Sequence, residues 1–387
     1  MQIPLLRCLI TSIGYSGCPY VFHQAYPVYL TALITIVISV VFSLKPVLPS
    51  LHLHSMTVFP AQYSLLSSAA LGSYISSTYG LEGFTCRLLV HNLSDTYMLE
   101  GTYSRYIFKV YRGAHRSPDE VLGEVALLNA LAAGGVSVAY AVKDLQGGQV
   151  QQFRVAEGIR CGVLFMYAPG RAKYPLSDLQ LQALGREVAK IHNITCSLQL
   201  PYSRPVYDIE TTLTRPLASV KELFKDLPYD YTYLQQLAAK VAGKLKQFDT
   251  GKFSYGYCHY DLIPKNYHFD GETKITFFDF DCAGKGYLIN DLMTFYIQLG
   301  FGVNAGKITQ EKADTDFRIV TEAYREIRAV TEEELAAIPY LGVMFWMYFL
   351  EVYVLNFEDW SNTFLNPQFV KERMALIRNW VDWYCKF

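Results

Sequence analysis

Two short polar clusters in the second half of the chain combine residue types that suit phosphoryl transfer. The first holds His259, Asp261 and Asn266 in the pattern H-x-D-x-x-x-x-N, and the second holds Asp279 and Asp281 after an apolar run. Transfer to a hydroxyl needs a carboxylate that orients the hydroxyl and accepts its proton, which predicts Asp261 as the base. It also needs Mg²⁺, a hard cation that prefers oxygen ligands, which predicts a metal site at Asn266, Asp279 and Asp281.

A lysine and a glutamate upstream form a second candidate pair. Lys109 lies within the apolar and aromatic stretch 106–111, which is typical of a strand. Glu124 shares a predicted helix face with three leucines, where an unpaired carboxylate is costly. We expect Lys109 to contact the α- and β-phosphates of ATP and to pair with Glu124. Glu120 is the alternative partner, although its spacing from Ser117 suits a capping box.

The elements that must position these residues change in type along the chain. Short apolar runs separated by turn residues predict an antiparallel meander first, and helical periodicity dominates after the break at 168–170. Ser117 and Ser177 both open sequences typical of a capped helix, and Asp230 is a predicted N-cap. The predicted strands are 85–91, 96–100, 106–111, 136–143, 150–155 and 162–167, and the predicted helices are 64–79, 117–131, one from 177 past 192, 231–248, 290–300, 310–329, 332–354 and 368–385.

Composition excludes several classes of protein. The 387 residues are 51% hydrophobic and 18% charged, which excludes a disordered chain. The net charge is −1, so the chain has no excess of positive charge that would attract nucleic acid. The eight cysteines form no CxxC pair, which argues against a zinc site and a disulfide framework and favours a reduced, cytoplasmic chain. The histidines His115, His192 and His268 lack ligand spacing and are interpreted as surface or packed side chains.

The first 55 residues differ from the rest, since they contain Arg7 and Lys45 and no acidic residue. The apolar run 28–44, from Val28 to Leu44, is at the short limit for crossing a bilayer. Two interpretations are open. Either the run anchors the protein to a membrane, with the remaining chain in the cytosol, or translation starts at Met56. We favour the start at Met56, because the chain after it has the pattern of one complete enzyme.

From about residue 60 to 385 the chain resembles the aminoglycoside phosphotransferase and choline kinase superfamily, which includes type II homoserine kinases and stress-response kinases. The resemblance is carried by the lysine strand 106–112, the helix segment 123–128, the hinge 164–170, the loop 259–266, the segment 277–284, and Asn290-Asp291-Leu292. It implies an α+β, bilobal protein-kinase-like fold with a small antiparallel-sheet lobe at 56–168 and a larger helical lobe at 169–387. It also implies ATP and Mg²⁺ as cofactors, and adenine binding by the backbone near Met166 to Ala168.

Two departures from the kinase pattern concern the nucleotide. The predicted nucleotide-covering loop 91–95 contains no glycine, so phosphate contacts there are expected from Ser94 and backbone N–H groups. The metal motif has Asp281 where kinases have glycine. His259 is expected to brace the catalytic loop through hydrogen bonds, since Asp261 has the role of base.

The acceptor is predicted to be a small hydroxyl compound such as an amino alcohol, homoserine or an amino sugar. A Ser/Thr protein kinase of the stress-response type is the alternative, although only ten residues separate Asp279 from Asn290 and no A-P-E motif follows. Aromatic and acidic residues of the last helices are interpreted as core or, alternatively, as a pocket for a cationic amine. They are Trp346, Tyr348, Glu351, Tyr353, Asn356, Glu358, Asp359 and Trp360.

Overall fold

A computed structural model describes residues 60–357 and 365–387. The apolar run 28–44 and the residues Glu358, Asp359 and Trp360 lie outside them. The chain first forms a five-stranded antiparallel sheet with strand order β1-β2-β3-β5-β4. Its strands are β1 (Thr85–His91), β2 (Ser94–Glu100), β3 (Arg105–Tyr111), β4 (Val150–Val155) and β5 (Gly158–Met166).

The two faces of this sheet have different partners because successive side chains of a strand alternate between faces. On β3, Phe108 and Val110 face helix α1 (Ser68–Tyr79) and form a small apolar core with it. Tyr111 lies in the larger core that continues into the helical lobe. Lys109 has the same phase as Tyr111, so β3 directs the lysine toward the cleft between the lobes.

Helix α2 (Pro118–Ala133) lies between the sheet and the helical lobe. The predicted capping box is confirmed, since the Ser117 hydroxyl accepts from the backbone N–H of Glu120 and the Glu120 carboxylate accepts from the N–H of Ser117. Pro118 occupies the first turn, where its missing N–H costs nothing. Glu120 is therefore engaged at the helix terminus, as the sequence predicts.

The second lobe consists of helices around two small antiparallel strand pairs. Strands β6 (Tyr255–Cys258) and β9 (Gly284–Tyr287) pair, as do β7 (Tyr267–Asp270) and β8 (Lys274–Phe277). The helices are α3 (Asp178–Thr195), α4 (Arg215–Ser219), α5 (Pro228–Leu245), α6 (Ile289–Asn304), α7 (Gln310–Arg325), α8 (Glu332–Asn356) and α9 (Pro367–Tyr384). The fold is thus α+β and bilobal, with the sheet in one lobe and most helices in the other.

Helix α8 is the central helix of this lobe. Among the described residues, α8 is the helix that is long and apolar enough to cross a membrane. Most of it is, however, buried inside the structure. Fifteen of its residues are buried. Most of them are apolar, as packing against α6 and α9 requires. The length and apolar character of α8 therefore suit a core helix.

Two predicted local features are wrong, each for a physical reason. Residues 136–143 form no strand but only isolated bridges at Val138 and Ala141. The reason is that β4 pairs with residues 158–163 of β5, so only the last residues of β5 are left to pair with this segment. Asp230 is not an N-cap, because Pro228 starts α5 two residues earlier. Asp230 instead pairs with Arg378 at 2.6 Å.

Candidate active site

The catalytic loop begins where β6 ends, and a buried carboxylate holds its backbone. The N–H groups of His259 and Tyr260 donate to the two carboxylate oxygens of Asp291 at 2.9 and 2.8 Å. Asp291 lies in the first turn of α6, where the helix dipole favours a negative charge. Tyr260 has a φ of 61°, a left-handed conformation that is rare for a non-glycine residue. These contacts fix the turn that presents Asp261.

Behind Asp291 lies a buried histidine that the sequence analysis interpreted as a surface or packed residue. His192 Nε2 is 3.0 Å from Asp291, and His192 Nδ1 is 2.9 Å from the Tyr324 hydroxyl. Burial raises the pKa of Asp291, but the hydrogen bond and charge of His192 outweigh it, so the net pKa is lowered. His192 is fully buried and links the catalytic loop to α3 and α7.

Asp261 and Asn266 are joined directly. The Asn266 amide nitrogen donates to the Asp261 carboxylate at 2.7 Å and to the Asp261 carbonyl at 2.8 Å. Both contacts use the amide nitrogen, so neither of them engages the amide oxygen of Asn266. Burial raises the pKa of Asp261, while the positive charge of Lys265, 3.9 Å away, lowers it. The loop thus joins the predicted base to a predicted metal ligand.

His259 uses both ring nitrogens on backbone groups. Its Nδ1 accepts from the N–H of Asp261 at 3.3 Å, which leaves Nε2 to donate to the carbonyl of Phe278 at 3.0 Å. The ring therefore ties the catalytic loop to the residue that precedes Asp279. Its contacts are those of the brace that the sequence predicts.

Asp279 and Asp281 converge on one positive group. Lys109 Nζ lies 2.5 Å from Asp279 Oδ1 and 3.0 Å from Asp281 Oδ2. Asp279 has a φ of 63° and starts a short 3₁₀ turn after β8, so the two carboxylates point to the same side. Burial raises the pKa of Asp281, but Lys109 and His115 more than offset it and hold the pKa well below its usual range.

The predicted direct pair of Lys109 with Glu124 is wrong, because Lys109 reaches the two aspartates instead. Glu124 is 1% exposed, and its Oε2 has no hydrogen-bond partner among the described residues. Burial raises the pKa of Glu124, while the charges of Lys109 and Arg204 lower it. Glu124 and Lys109 therefore influence each other's pKa through longer-range electrostatics and form no hydrogen bond or ion pair with each other.

Two buried arginines that the sequence analysis did not single out hold the turn that carries Asp279 and Asp281. Arg204 donates to the carbonyls of Phe280, Asp281 and Ala283 at 2.6 to 2.9 Å. Arg116 donates to the Asp281 carbonyl at 3.0 Å. Arg204 lies in a loop far from both motifs, so spacing offered no signal for it.

The residues predicted to contact the nucleotide lie along the sheet side of the cleft. Ser94 starts β2, opposite Tyr111, and is 8% exposed. Met166 ends β5, and its N–H donates to the carbonyl of Tyr140 at 3.1 Å. The carbonyl of Ala168 lies 2.9 Å from His268 Nδ1. Adenine recognition by this segment would therefore use its remaining backbone groups.

The oxygen atoms around Lys109 fit a divalent cation that also binds phosphate. Within the described ranges no group of three or more His, Cys, Asp or Glu side chains could hold a metal alone. Mg²⁺ typically takes one or two carboxylates and completes its shell with phosphate oxygens and water. Asp279, Asp281 and the Asn266 amide oxygen provide that kind of donor set.

Most of the candidate acceptor residues on α8 are already engaged. Tyr348 packs edge-on against Tyr260, and Trp346 is 3% exposed. Glu351 is 2% exposed at its side chain and accepts from Arg215 at 2.8 Å. Since its charge is neutralised there, Glu351 does not provide a free anionic group for an amine.

Comparison with known proteins identifies relatives. The sequence model of the phosphotransferase enzyme family matches residues 85–329, which include every predicted site residue. A protein of Deinococcus radiodurans is 31% identical over 326 residues, covering 84% of this chain and 93% of the relative. The amicoumacin kinase of Bacillus subtilis is 30% identical over 225 residues, covering 56% of this chain and 64% of the kinase.

The fold also matches a solved structure. An amicoumacin kinase in complex with AMP-PNP, Ca²⁺ and Ami has a TM-score of 0.63 at 22% identity. The match covers 82% of this chain and 94% of that kinase. At this identity the similarity establishes the arrangement of the two lobes.

Proposed function

Since the chain belongs to the phosphotransferase enzyme family, we propose that it transfers the γ-phosphoryl group of ATP to a hydroxyl of a small metabolite with the help of Mg²⁺. One observation carries the proposal. The Asp261 carboxylate is held by Asn266 at 2.7 Å and is close enough to Asp279 for that charge to raise the Asp261 pKa. A base and a candidate metal ligand thus share one cleft.

In this proposal Asp261 orients the acceptor hydroxyl and takes its proton. The phosphorus–oxygen bond to the acceptor forms as the bond to ADP breaks, which leaves a phosphorylated product and ADP. Asn266 holds the carboxylate in place, and His259 fixes the loop to the strand end before Asp279. A positioned general base contributes roughly 10²- to 10⁴-fold in rate.

The nucleotide would lie along the sheet side of the cleft. We propose that Lys109 binds its phosphates, that Glu124 tunes the lysine through its field, and that Ser94 and nearby N–H groups cover the phosphates. Backbone groups from Met166 to Ala168 would hold adenine. Mg²⁺, when bound, would neutralise charge on the phosphate oxygens. Its ligands would be Asn266 and Asp279, with Asp281 beside them.

A small-molecule acceptor is favoured over a protein. Only ten residues separate Asp279 from Asn290, where α6 has already begun. That length leaves no segment on which a peptide could dock in the manner of a protein kinase. An amino alcohol, homoserine and an amino sugar are the acceptor classes proposed from the family.

The same proposal assigns roles to the two parts of the chain. Residues 56–168 would bind the nucleotide, and residues 169–387 would hold the catalytic loop, the metal and the acceptor. We place the reaction in the cytoplasm, where ATP is abundant, with no nucleic acid partner. Membrane contact would arise only if residues 1–55 are present in the cell.

A screen tests the function directly. Hydroxyl metabolites would be incubated with the protein, ATP and Mg²⁺, and acceptor-dependent ADP release and the phosphorylated product would be measured, the latter by mass spectrometry. We expect at least one acceptor to gain a phosphoryl group, and the Asp261→Asn variant to lose this activity. Equal ADP release by the variant and the original protein would rule out the assigned base.

A further inference from the structure

Arg373 occupies an aromatic cluster where three helices of the second lobe meet. Its guanidinium carbon lies 4.9 Å from the ring centre of Phe369, 5.2 Å from that of Trp346 and 6.0 Å from that of Phe301. Phe301 belongs to α6, Trp346 to α8, and Phe369 and Arg373 to α9. Aromatic faces stabilise a guanidinium, but they do not satisfy its N–H groups.

The guanidinium has no carboxylate partner in the described part of the chain. Its Nε–H is buried without a hydrogen-bond acceptor, and the indole N–H of Trp346 is in the same situation. Burial lowers the pKa of Arg373, and the charges of Tyr353 and Glu372 offset this only in part. A buried donor left unsatisfied costs about 1–3 kcal/mol. Two N–H donors of this cluster are therefore without an acceptor among the described residues.

Tyr353 of α8 is a neighbour of this aromatic cluster. Its ring centre lies 5.1 Å from that of Phe369. Burial raises the pKa of the Tyr353 hydroxyl, the charges of Arg373 and Lys265 lower it, and the charge of Asp261 raises it. The Tyr353 hydroxyl is therefore within electrostatic range of Arg373 and of the base.

Beside the carboxylate of Asp261, the described residues place two cations, Lys265 and Arg373, near Tyr353. Glu351, the acidic side chain of α8 nearest in sequence to Tyr353, is neutralised by Arg215 and also accepts from Ser219 at 2.7 Å. Lys265 is 69% exposed at its side chain and reaches toward Asp261. A cationic amine would meet Arg373 and Lys265 here, whereas an anion would be attracted by both.

We propose that Arg373 binds an anionic group of the acceptor, with the Trp346 indole N–H beside it as a second donor. The acceptor is then a hydroxyl compound that carries a carboxylate or a phosphate. This inference builds on the proposed function, in which the hydroxyl of that compound gives its proton to Asp261 and its oxygen bonds to the γ-phosphorus as ADP leaves. Among the acceptor classes named above it favours a homoserine-like compound.

Matched pairs of acceptors test the inference. L-homoserine is compared with 3-amino-1-propanol, L-serine with ethanolamine, and glycerol 3-phosphate with glycerol, each with ATP, Mg²⁺ and the full chain. We expect the anionic member of at least one pair to have a kcat/KM at least tenfold higher. The first two pairs report on a carboxylate and the third on a phosphate.

Variants then assign the preference to Arg373. Arg373→Gln should raise the KM for the anionic acceptor about tenfold or more, because a charge-assisted hydrogen bond is lost. The KM for the other acceptor of the pair, which has no carboxylate or phosphate, should be nearly unchanged. Arg373→Lys, which keeps the charge, should retain part of the preference and guards against a folding defect in the glutamine variant. Lys371→Gln, an exposed cation on the same helix, should behave like the original protein.

The outcomes separate the inference from the function. Phosphorylation of only the uncharged or cationic members, or a preference for the anionic member that survives Arg373→Gln, would overturn the inference and leave the kinase assignment intact. No phosphorylation of any member, with ADP release unaffected by Asp261→Asn, would overturn both.

Discussion

The amide nitrogen of Asn266 lies 2.7 Å from the carboxylate of Asp261, so a hydrogen bond links the candidate base directly to a candidate metal ligand. The same nitrogen also holds the carbonyl of Asp261 at 2.8 Å. The six residues from Asp261 to Asn266 are thereby closed into a ring. Any change that reorients Asn266 will also move the base, and Asp261 alone decides whether a proton can be accepted.

Asp261→Asn should therefore lower turnover by roughly 10²- to 10⁴-fold, the usual contribution of a general base. Nucleotide affinity should change little, because the nucleotide is expected against Lys109 and Asp279. Turnover would be followed by ADP release and affinity by calorimetry with Mg²⁺ and an ATP analogue. Asp270→Asn, an exposed aspartate at the end of β7, is the matched control. A large loss of nucleotide affinity in Asp261→Asn would contradict the assignment.

The pH dependence of turnover should report the pKa of Asp261. Burial raises the pKa of Asp261 and Lys265 lowers it. The base is active when deprotonated, so turnover should fall on acidification, at a higher pH than an ordinary aspartate would give. Lys265→Met removes the charge that lowers this pKa, so the acid limb of the kcat profile should move to still higher pH. A shift to lower pH, or none, would mean that Asp261 is not the titrating group.

Much of this site could be predicted from sequence because its parts are local. The H-x-D-x-x-x-x-N spacing fixed which side chains share one loop, and the structure joins Asp261 to Asn266 within it. The capping box at Ser117 likewise depends on residues three positions apart. Lys109 could be assigned to a strand because the stretch 106–111 around it is apolar and aromatic.

Long-range partners could not be predicted in the same way. Lys109 and Asp279 are 170 positions apart, and a helix glutamate looked like the nearer partner. His192 and Arg204 reach the catalytic loop and the metal-site turn from distant loops and helices. The contact of Lys109 depends on how the two lobes pack, and those of His192 and Arg204 depend on how distant segments of the second lobe pack. No local spacing encodes either.

The partner of Lys109 can be settled by coupling energies. Lys109→Met with Asp281→Asn should be strongly non-additive in free energy of unfolding, by about 0.5–3 kcal/mol, because the two groups touch at 3.0 Å. Lys109→Met with Glu124→Gln should show a smaller coupling, since their interaction is through the field alone. Urea unfolding of the single and double variants gives the coupling energy of both double-mutant cycles. A larger coupling with Glu124 would restore the original pairing.

The Asp291 carboxylate should be important for stability as well as for the catalytic loop. Asp291→Asn replaces one oxygen by an amide that cannot accept, so the N–H of His259 or Tyr260, or the ring of His192, loses its partner. We expect a loss of about 1–3 kcal/mol in the free energy of unfolding for a buried group left unsatisfied. Asp382→Asn, an exposed aspartate on α9, is the control.

The same variant has a defined pH dependence. The pKa of Asp291 is lowered in the folded protein, so its stabilisation is fully present above the unfolded value of about 3.9 and is lost as pH falls through the folded value. The stability difference between the original protein and Asp291→Asn should therefore be constant near pH 7 and shrink on acidification below about pH 4. Chemical unfolding at a series of pH values measures it. A difference that stays constant down to low pH would show that Asp291 does not hold the catalytic loop as a carboxylate, because a protonated acid would then serve equally well.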